Sequence, residues 1–161
     1  MKSRERVGIA EFRVVRYPGI LISYGLGSCL GIALYDSYRQ QGGLAHSLLP
    51  GSCPPGFSGR PAKFVEGAIR SMFVELLAAG SEPRHLTAKL AGGANMFASP
   101  NAVEEDNIGS RNVRTGREIL NQLGIALVAE DVGGRHGRTI EFDLATGALQ
   151  VRSLRLGELI I

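Results

Sequence analysis

The chain alternates short runs of two-residue hydrophobic period with two longer runs of helical period. Aliphatic residues mixed with Glu11 and Arg13 predict a strand over residues 7–15, and Tyr17-Pro18-Gly19 signals a turn. A short strand over 20–23 is expected to end at a glycine turn formed by Gly25 and Gly27. Leu30, Ile32 and Leu34 alternate with small residues and predict a strand over 30–36, followed by a polar loop over 36–41. Leu44, His46 and Leu48 share one face of a strand over 43–49. A loop rich in proline and glycine fills 51–61.

Helical spacing then takes over at Phe64/Val65, Ala68/Ile69, Met72/Phe73 and Leu76/Leu77. It predicts a helix over 62–79, with Pro61 at its start and Gly80 as its C-terminal cap. A strand over 85–91 enters Gly92-Gly93-Ala94-Asn95, and 98–106 reads as polar loop. Asn107 or Ser110 can cap a second helix that runs to residue 123, where Gly124 closes it. Its buried stripe is Val113, Ile119, Leu120 and Leu123. A nearly continuous apolar strand over 125–132 ends at Gly133-Gly134. Residues 139–144 and 148–154 form a hairpin around Ala145-Thr146-Gly147. Many strands and two long helices make an α+β chain. With 161 residues and no repeat or linker, it is expected to be one domain, residues 1–161.

Composition adds little to this picture: 44% hydrophobic and 20% charged residues are ordinary for a globular protein. The net charge of +3 comes from interspersed Lys and Arg, without a basic block. That argues against nucleic acid as a ligand and suits an acidic protein surface as partner. No run approaches the ~18 apolar residues of a membrane span, and the polar start carries no signal-like apolar core. The expectation is a soluble, cytoplasmic monomer without membrane insertion. Cys29 and Cys53 are too few for a disulfide framework. Cys53, in Gly-Ser-Cys-Pro-Pro-Gly, reads as incidental.

Candidate chemistry lies between residues 23 and 50. The glycine turn delivers Cys29 to the start of one apolar strand, and a sequence-adjacent strand carries His46, a lone histidine among small and aliphatic residues. A thiol is a weak nucleophile until a neighbour takes or stabilises its proton, and His46 is the residue at hand for that. Backbone N–H groups of Gly27, Ser28 and Cys29 can approach a substrate carbonyl and hold a developing oxyanion. A buried histidine also needs a hydrogen-bond partner, which Ser23 or a backbone carbonyl can supply. The plainer reading makes Cys29 a small buried hydrophobe and His46 a core histidine.

Other constellations are weaker. Gly25, Gly27 and Gly31 superficially resemble a dinucleotide fingerprint, but the third spacing is wrong and a strand follows. Cys29, His46 and Cys53 match no zinc spacing, and no metal or other cofactor is expected. Glu130-Asp131 reads as a sheet-edge pair rather than an acid/base couple. Arg111, Arg114 and Arg117 recur every third residue, as a solvated face or, on the sharper reading, a docking surface for an acidic partner.

Several separated strings resemble, in order, the CheD family of chemoreceptor glutamine deamidases. They are Gly25-Leu26-Gly27-Ser28-Cys29, Gly42-Gly43-Leu44-Ala45-His46-Ser47-Leu48-Leu49-Pro50, Ala88 to Phe97, Asn107-Ile108-Gly109-Ser110-Arg111-Asn112-Val113, and Ala129-Glu130-Asp131-Val132-Gly133-Gly134. The resemblance implies two packed mixed sheets with helices on one side. It implies a cysteine hydrolase that converts receptor glutamine to glutamate with release of ammonia and needs no cofactor. Cys29 would be the nucleophile, His46 the base, and Ser23 would stand where the family usually has Thr. Arg135 and His136 depart from the family's usual Asn and Arg. The implied partners are cytoplasmic domains of methyl-accepting chemotaxis receptors and a CheC-type phosphatase. Two rival functions remain open. One is a receptor glutamate methylesterase, which reaches the same thioester. The other is a non-catalytic binding module for the phosphatase.

Overall fold

The computed structural model describes residues 2–97 and 106–161, so the loop expected over 98–106 lies, but for Asp106, outside the described residues. In chain order the strands are β1 (Ser3–Arg6), β2 (Glu11–Arg16), β3 (Gly19–Leu26), β4 (Leu30–Asp36) and β5 (Gln41–Ser47). Helix α1 (Val65–Ala78), strand β6 (Leu86–Gly92) and helix α2 (Ile108–Gln122) follow. The chain ends with β7 (Ala126–Val132), β8 (Arg138–Asp143), β9 (Leu149–Ser153) and β10 (Gly157–Ile160). One sheet has the order β1-β3-β8-β9-β10 and the other β2-β5-β4-β6-β7. Both are mixed, because β1 runs parallel to β3 and β6 parallel to β7 while their other pairs are antiparallel.

Three layers result: the first sheet, the second sheet, and the two helices on the second sheet's outer face. Leu21, Leu26, Leu44, Ile140 and Phe142 fill the space between the sheets. Ile32, Leu34, Leu90, Ile69, Met72 and Leu120 fill the space between the second sheet and the helices. Strands β4 and β5 are covered on both sides, which explains the unbroken burial of β5 and that of β4 at every residue but Tyr35. Leu30, Ile32 and Leu34 face the helices; Gly31 and Ala33 face the other sheet, where little room is left. Among the described residues no helix is long and apolar enough to cross a membrane.

The α+β class and the arrangement of two mixed sheets with helices on one side are as expected, and β4 has the bounds read from its alternation. Helix α2 starts at the anticipated Asn107 cap. The Asn107 side chain accepts from the Ser110 N–H at 2.9 Å, and Ser110 Oγ accepts from the Asn107 N–H at 3.3 Å. Four expectations need correction. The strand expected over 7–15 begins only at Glu11, as β2 of the second sheet, and residues 7–10 connect it to β1 of the first. Val7 donates its N–H to Ile22 of the first sheet and Ala10 to His46 of the second. The turn between them has Ala10 at φ 60° and the Glu11 carboxylate accepting from the Gly8 N–H. Strand β3 does not end at Gly25 but bulges there, at φ 71°, and continues to Leu26. Helix α1 begins at Val65, not at residue 62, because Phe64 stays extended to bridge Leu49 and only residues Pro61–Lys63 form a preceding 3-10 turn. Strand β10, on the edge of the first sheet beside β9, was not anticipated; all four of its residues are exposed, so burial leaves no alternating signature.

Glycine sets the spacing on β5, the strand that carries His46. A Cβ on Gly42 would stand 2.3 Å from the Leu34 carbonyl oxygen, with Leu144 and Phe142 of the inter-sheet layer at 3.1 Å. Backbone cannot yield as a side-chain tip does, so Gly42→Ala is expected to lower unfolding free energy by about 1–3 kcal/mol, the usual cost of overpacking. Chemical denaturation measures this; a midpoint equal to that of the unsubstituted protein would contradict the register.

Candidate active site

His46 lies on β5 with Leu44, facing the first sheet, and is 1% exposed. Directly across the interface, β3 of the first sheet presents Ser23, which is fully buried. Ser23 Oγ lies 2.8 Å from His46 Nδ1 and donates to the Val7 carbonyl at 2.7 Å. A hydroxyl has one hydrogen, and a carbonyl can only accept. The Ser23 hydrogen is therefore committed to Val7, and Ser23 Oγ must accept from Nδ1–H. That fixes the imidazole tautomer: Nδ1 carries the proton and Nε2 carries the lone pair. Nε2 is buried and has no hydrogen-bond partner among the described residues. Burial pushes the imidazole pKa down to about 4, so the ring is neutral at pH 7 and Nε2 is free to take a proton.

Cys29 stands at the entry to β4, partly exposed and packed against the inter-sheet layer that also holds Leu44. His46 pairs with Gly31 across the β4–β5 ladder. Cys29, two residues before Gly31, is thus its diagonal neighbour, and such neighbours stand about 7–8 Å apart at the backbone. That span is within reach of an imidazole and a thiol together. The resting state holds no ion pair between them. Nε2 is unbonded and Nδ1 is taken by Ser23. Burial pushes the Cys29 thiol up, an effect only opposed by its own backbone N–H. A thiol acidified by His46 in the resting protein is therefore not what the site contains. Both groups are neutral at rest.

The loop between β3 and β4 is anchored by its carbonyls. Gly27 O accepts from the Ala94 N–H at 2.9 Å and Cys29 O from the Gly93 N–H at 2.8 Å. Ser28 O accepts from Asn112 Nδ2 at 2.9 Å. Among the described residues the N–H groups of Gly27 and Ser28 donate to nothing, and that of Cys29 lies against its own sulfur. Carbonyl and N–H of a trans peptide point in opposite directions. Fixing the Gly27 and Ser28 carbonyls therefore fixes the Ser28 and Cys29 N–H groups in the opposite directions.

Sequence reading missed two residues that support this loop. Asn112 of α2 is one. Arg138 is the other: its side chain is 2% exposed, and it donates to Asp131 Oδ2 at 3.1 Å and to the carbonyls of Gly133 at 2.9 Å and Gly92 at 3.3 Å. Gly92 pairs with Leu30 beside Cys29, so Arg138 braces the site from behind. Glu130 and Asp131 both form ion pairs, with Arg117 and Arg138, in keeping with a structural part. Cys53 remains in its loop, bonded to the Pro61 carbonyl at 3.8 Å. No three His, Cys, Asp or Glu side chains gather among the described residues as a metal site requires. Beside the bulge at Gly25 lies a cavity of about 760 Å³ walled by Tyr24, Met96, Arg135, His136 and Leu154, so the two residues at the Arg135-His136 departure face the open side of the molecule.

The chain is similar to known proteins. The family model described as CheD chemotactic sensory transduction matches residues 48–153. The probable chemoreceptor glutamine deamidase CheD of Pyrococcus abyssi is 46% identical over 96% of this chain and 94% of its own length. The probable chemoreceptor glutamine deamidase CheD 2 of Geobacter metallireducens is 50% identical over 92% of this chain and 93% of its own. The probable deamidase of Thermococcus kodakarensis is 43% identical over 96% of both.

The raised thiol pKa has a direct consequence. At pH 7 the thiolate fraction of Cys29 falls below that of an ordinary thiol, so alkylation by iodoacetamide should be slower there than for a small free thiol. The rate at Cys29, followed by peptide mass spectrometry, should rise with pH to a midpoint above the ordinary value of about 8.5. A midpoint well below it would mean that a thiolate is already stabilised in the resting site.

Proposed function

The chain belongs to the CheD family, and from that premise we propose that it is a protein-glutamine glutaminase that deamidates glutamine side chains on the cytoplasmic domains of chemoreceptors. The observation that carries the mechanism is the chain of hydrogen bonds Val7 O to Ser23 Oγ to His46 Nδ1, which leaves Nε2 unprotonated.

A primary amide is a weak electrophile with a poor leaving group, so it needs a nucleophile, an oxyanion site and an acid. When the substrate side chain enters, His46 Nε2 takes the Cys29 thiol proton. Sulfur attacks the amide carbon, and the carbonyl electron pair moves onto oxygen. The backbone N–H groups of residues 27–29 hold that oxyanion. The intermediate collapses as Nε2–H gives its proton to the nitrogen, which leaves as ammonia, and a thioester remains. Water then attacks the thioester carbon and gives a proton to Nε2. The second intermediate expels sulfur, which recovers that proton, and glutamate is released. During each step the imidazole carries a positive charge for a short time. Ser23 Oγ, already aligned as acceptor, lowers the cost of that charge and keeps the ring from turning. A neutral resting pair suits this substrate: the charge is created only when an oxyanion forms beside it.

The test uses a receptor cytoplasmic fragment, with release of ammonia and the small mass gain that separates an acid from its amide as readouts. Cys29→Ala should reduce turnover to background while the protein stays folded, and Cys53→Ser should leave it near that of the unsubstituted protein. Ser23→Ala should lower turnover by about 10- to 100-fold, part of the usual ~10²–10⁴-fold contribution of acid–base catalysis. Ser23→Thr, which keeps the hydroxyl, should be tolerated. Full activity in folded Cys29→Ala, or no effect of Ser23→Ala, would contradict the mechanism.

A further inference from the structure

Asn112 is a fully buried polar residue in the second turn of α2, pointing away from the exposed face of that helix. Its side chain spans two segments of the candidate site. Nδ2 donates to Ser28 O at 2.9 Å and to Leu48 O at 3.0 Å. Ser28 precedes Cys29, and Leu48 lies two residues beyond His46. Both partners are carbonyl oxygens, so the amide orientation is settled: only the NH₂ group can face them. Both its hydrogens are used, and Oδ1 has no partner among the described residues. A core position that served packing alone would carry an apolar side chain and leave no buried oxygen unpaired.

The fold goes to some length to bring this helix so close. A Cβ on Gly109 would stand 2.4 Å from the Ala94 carbonyl oxygen and 2.5 Å from that of Gly93. A Cβ on Gly93, itself at φ 64°, would meet Val113 at 2.4 Å, and one on Gly116 would meet Leu30 at 3.0 Å. Glycine at these places lets α2 rest on the backbone that follows β6, and Asn112 then reaches the 28–29 peptide.

We infer that Asn112 is a positioning residue: by holding the Ser28 carbonyl toward α2, it aims the Cys29 N–H at the point where the substrate oxygen becomes an oxyanion. The peptide plane is rigid, so fixing the oxygen fixes the direction of the hydrogen on the opposite side. The second bond, to Leu48, ties the base strand to the same anchor, so that Cys29 and His46 keep a common frame. The inference rests on the deamidase reading above and deepens it.

The discriminating fact is that alkylation by iodoacetamide needs the sulfur of Cys29 but creates no oxyanion, whereas deamidation needs both. Asn112→Ala, Asn112→Asp and Asn112→Ser are compared with the unsubstituted protein by steady-state ammonia release from a receptor cytoplasmic fragment and by the alkylation rate at Cys29. Asp keeps the shape but has no donor at neutral pH; Ser keeps one donor. Removing an oxyanion donor outright costs about 10²–10³-fold in kcat, and misaiming one should cost about 10- to 100-fold in Ala and Asp. KM should stay within about twofold, because the loss is confined to the transition state. The alkylation rate should change by less than about threefold, and Ser should fall between Ala and the unsubstituted protein in kcat. If Ala and Asp do not fold, the same split between kcat and alkylation in Asn112→Ser decides. A folded variant with unchanged kcat would overturn the inference, as would kcat and alkylation falling by one common factor, which marks a loop merely loosened. Failure of the unsubstituted protein to release ammonia would instead overturn the deamidase reading on which the inference rests.

Discussion

A hydrogen bond between two sheets is the constraint on which the site depends. Ser23 belongs to one sheet and His46 to the other, and they meet at 2.8 Å. The bond forms only if the sheets pack close at this point, and the small residues of β4 and β5 permit that approach. The turn after β1 completes the arrangement. It offers the Val7 carbonyl to Ser23 and then crosses to the second sheet, where Ala10 donates to the His46 carbonyl at 2.9 Å. One short segment thus sets the proton on Ser23 and helps hold the backbone of His46. The His46 tautomer is a property of the packing of two layers, not of any one strand.

The electrostatics follow from the same packing. Burial disfavours charge on both partners: it depresses the imidazole pKa to about 4 and raises that of the thiol. An ion pair in the resting state would have to overcome both effects without an opposite charge nearby. The neutral pair avoids that cost, and among the described residues the N–H groups of Gly27 and Ser28 in the carbonyl-anchored loop donate to nothing. Burial of a neutral histidine also has a sign for stability. Below the ordinary histidine pKa the unfolded chain binds a proton that the folded protein refuses until about pH 4, so His46 contributes a loss of stability as pH falls through that window.

Much of this was legible in the residues. The alternation of β4, the caps of α2 and the inward placement of His46 beside Leu44 follow from period and local chemistry, whereas β5 ends at Ser47 and leaves Leu48, expected on the same face, outside the strand. Ser23 was named because a buried histidine must have a partner, and the fold supplies it. What escaped depends on contacts distant in sequence. The division of 7–15 between two sheets is decided by which strand each N–H finds, Ile22 or His46, and nothing local distinguishes Val7 from Val14. Strand β3 passes through Gly25 because β8 continues to pair at Leu26. Asn112 looks like any polar residue of an amphipathic helix until the Ser28 and Leu48 carbonyls are placed beside it. The raised thiol pKa was hidden for a related reason: the proximity of a histidine can be guessed from sequence, but the burial that keeps both groups neutral cannot.

The central claim is the protonation state of one ring, and nitrogen NMR of the isotopically labelled protein reads it directly. At pH 7 the His46 imidazole should show a protonated Nδ1 and an unprotonated Nε2, and should remain so until pH approaches 4. In Ser23→Ala the Nδ1–H signal should lose its hydrogen-bonded shift while the ring stays neutral. An imidazolium at pH 7, or a neutral ring with its proton on Nε2, would contradict the account.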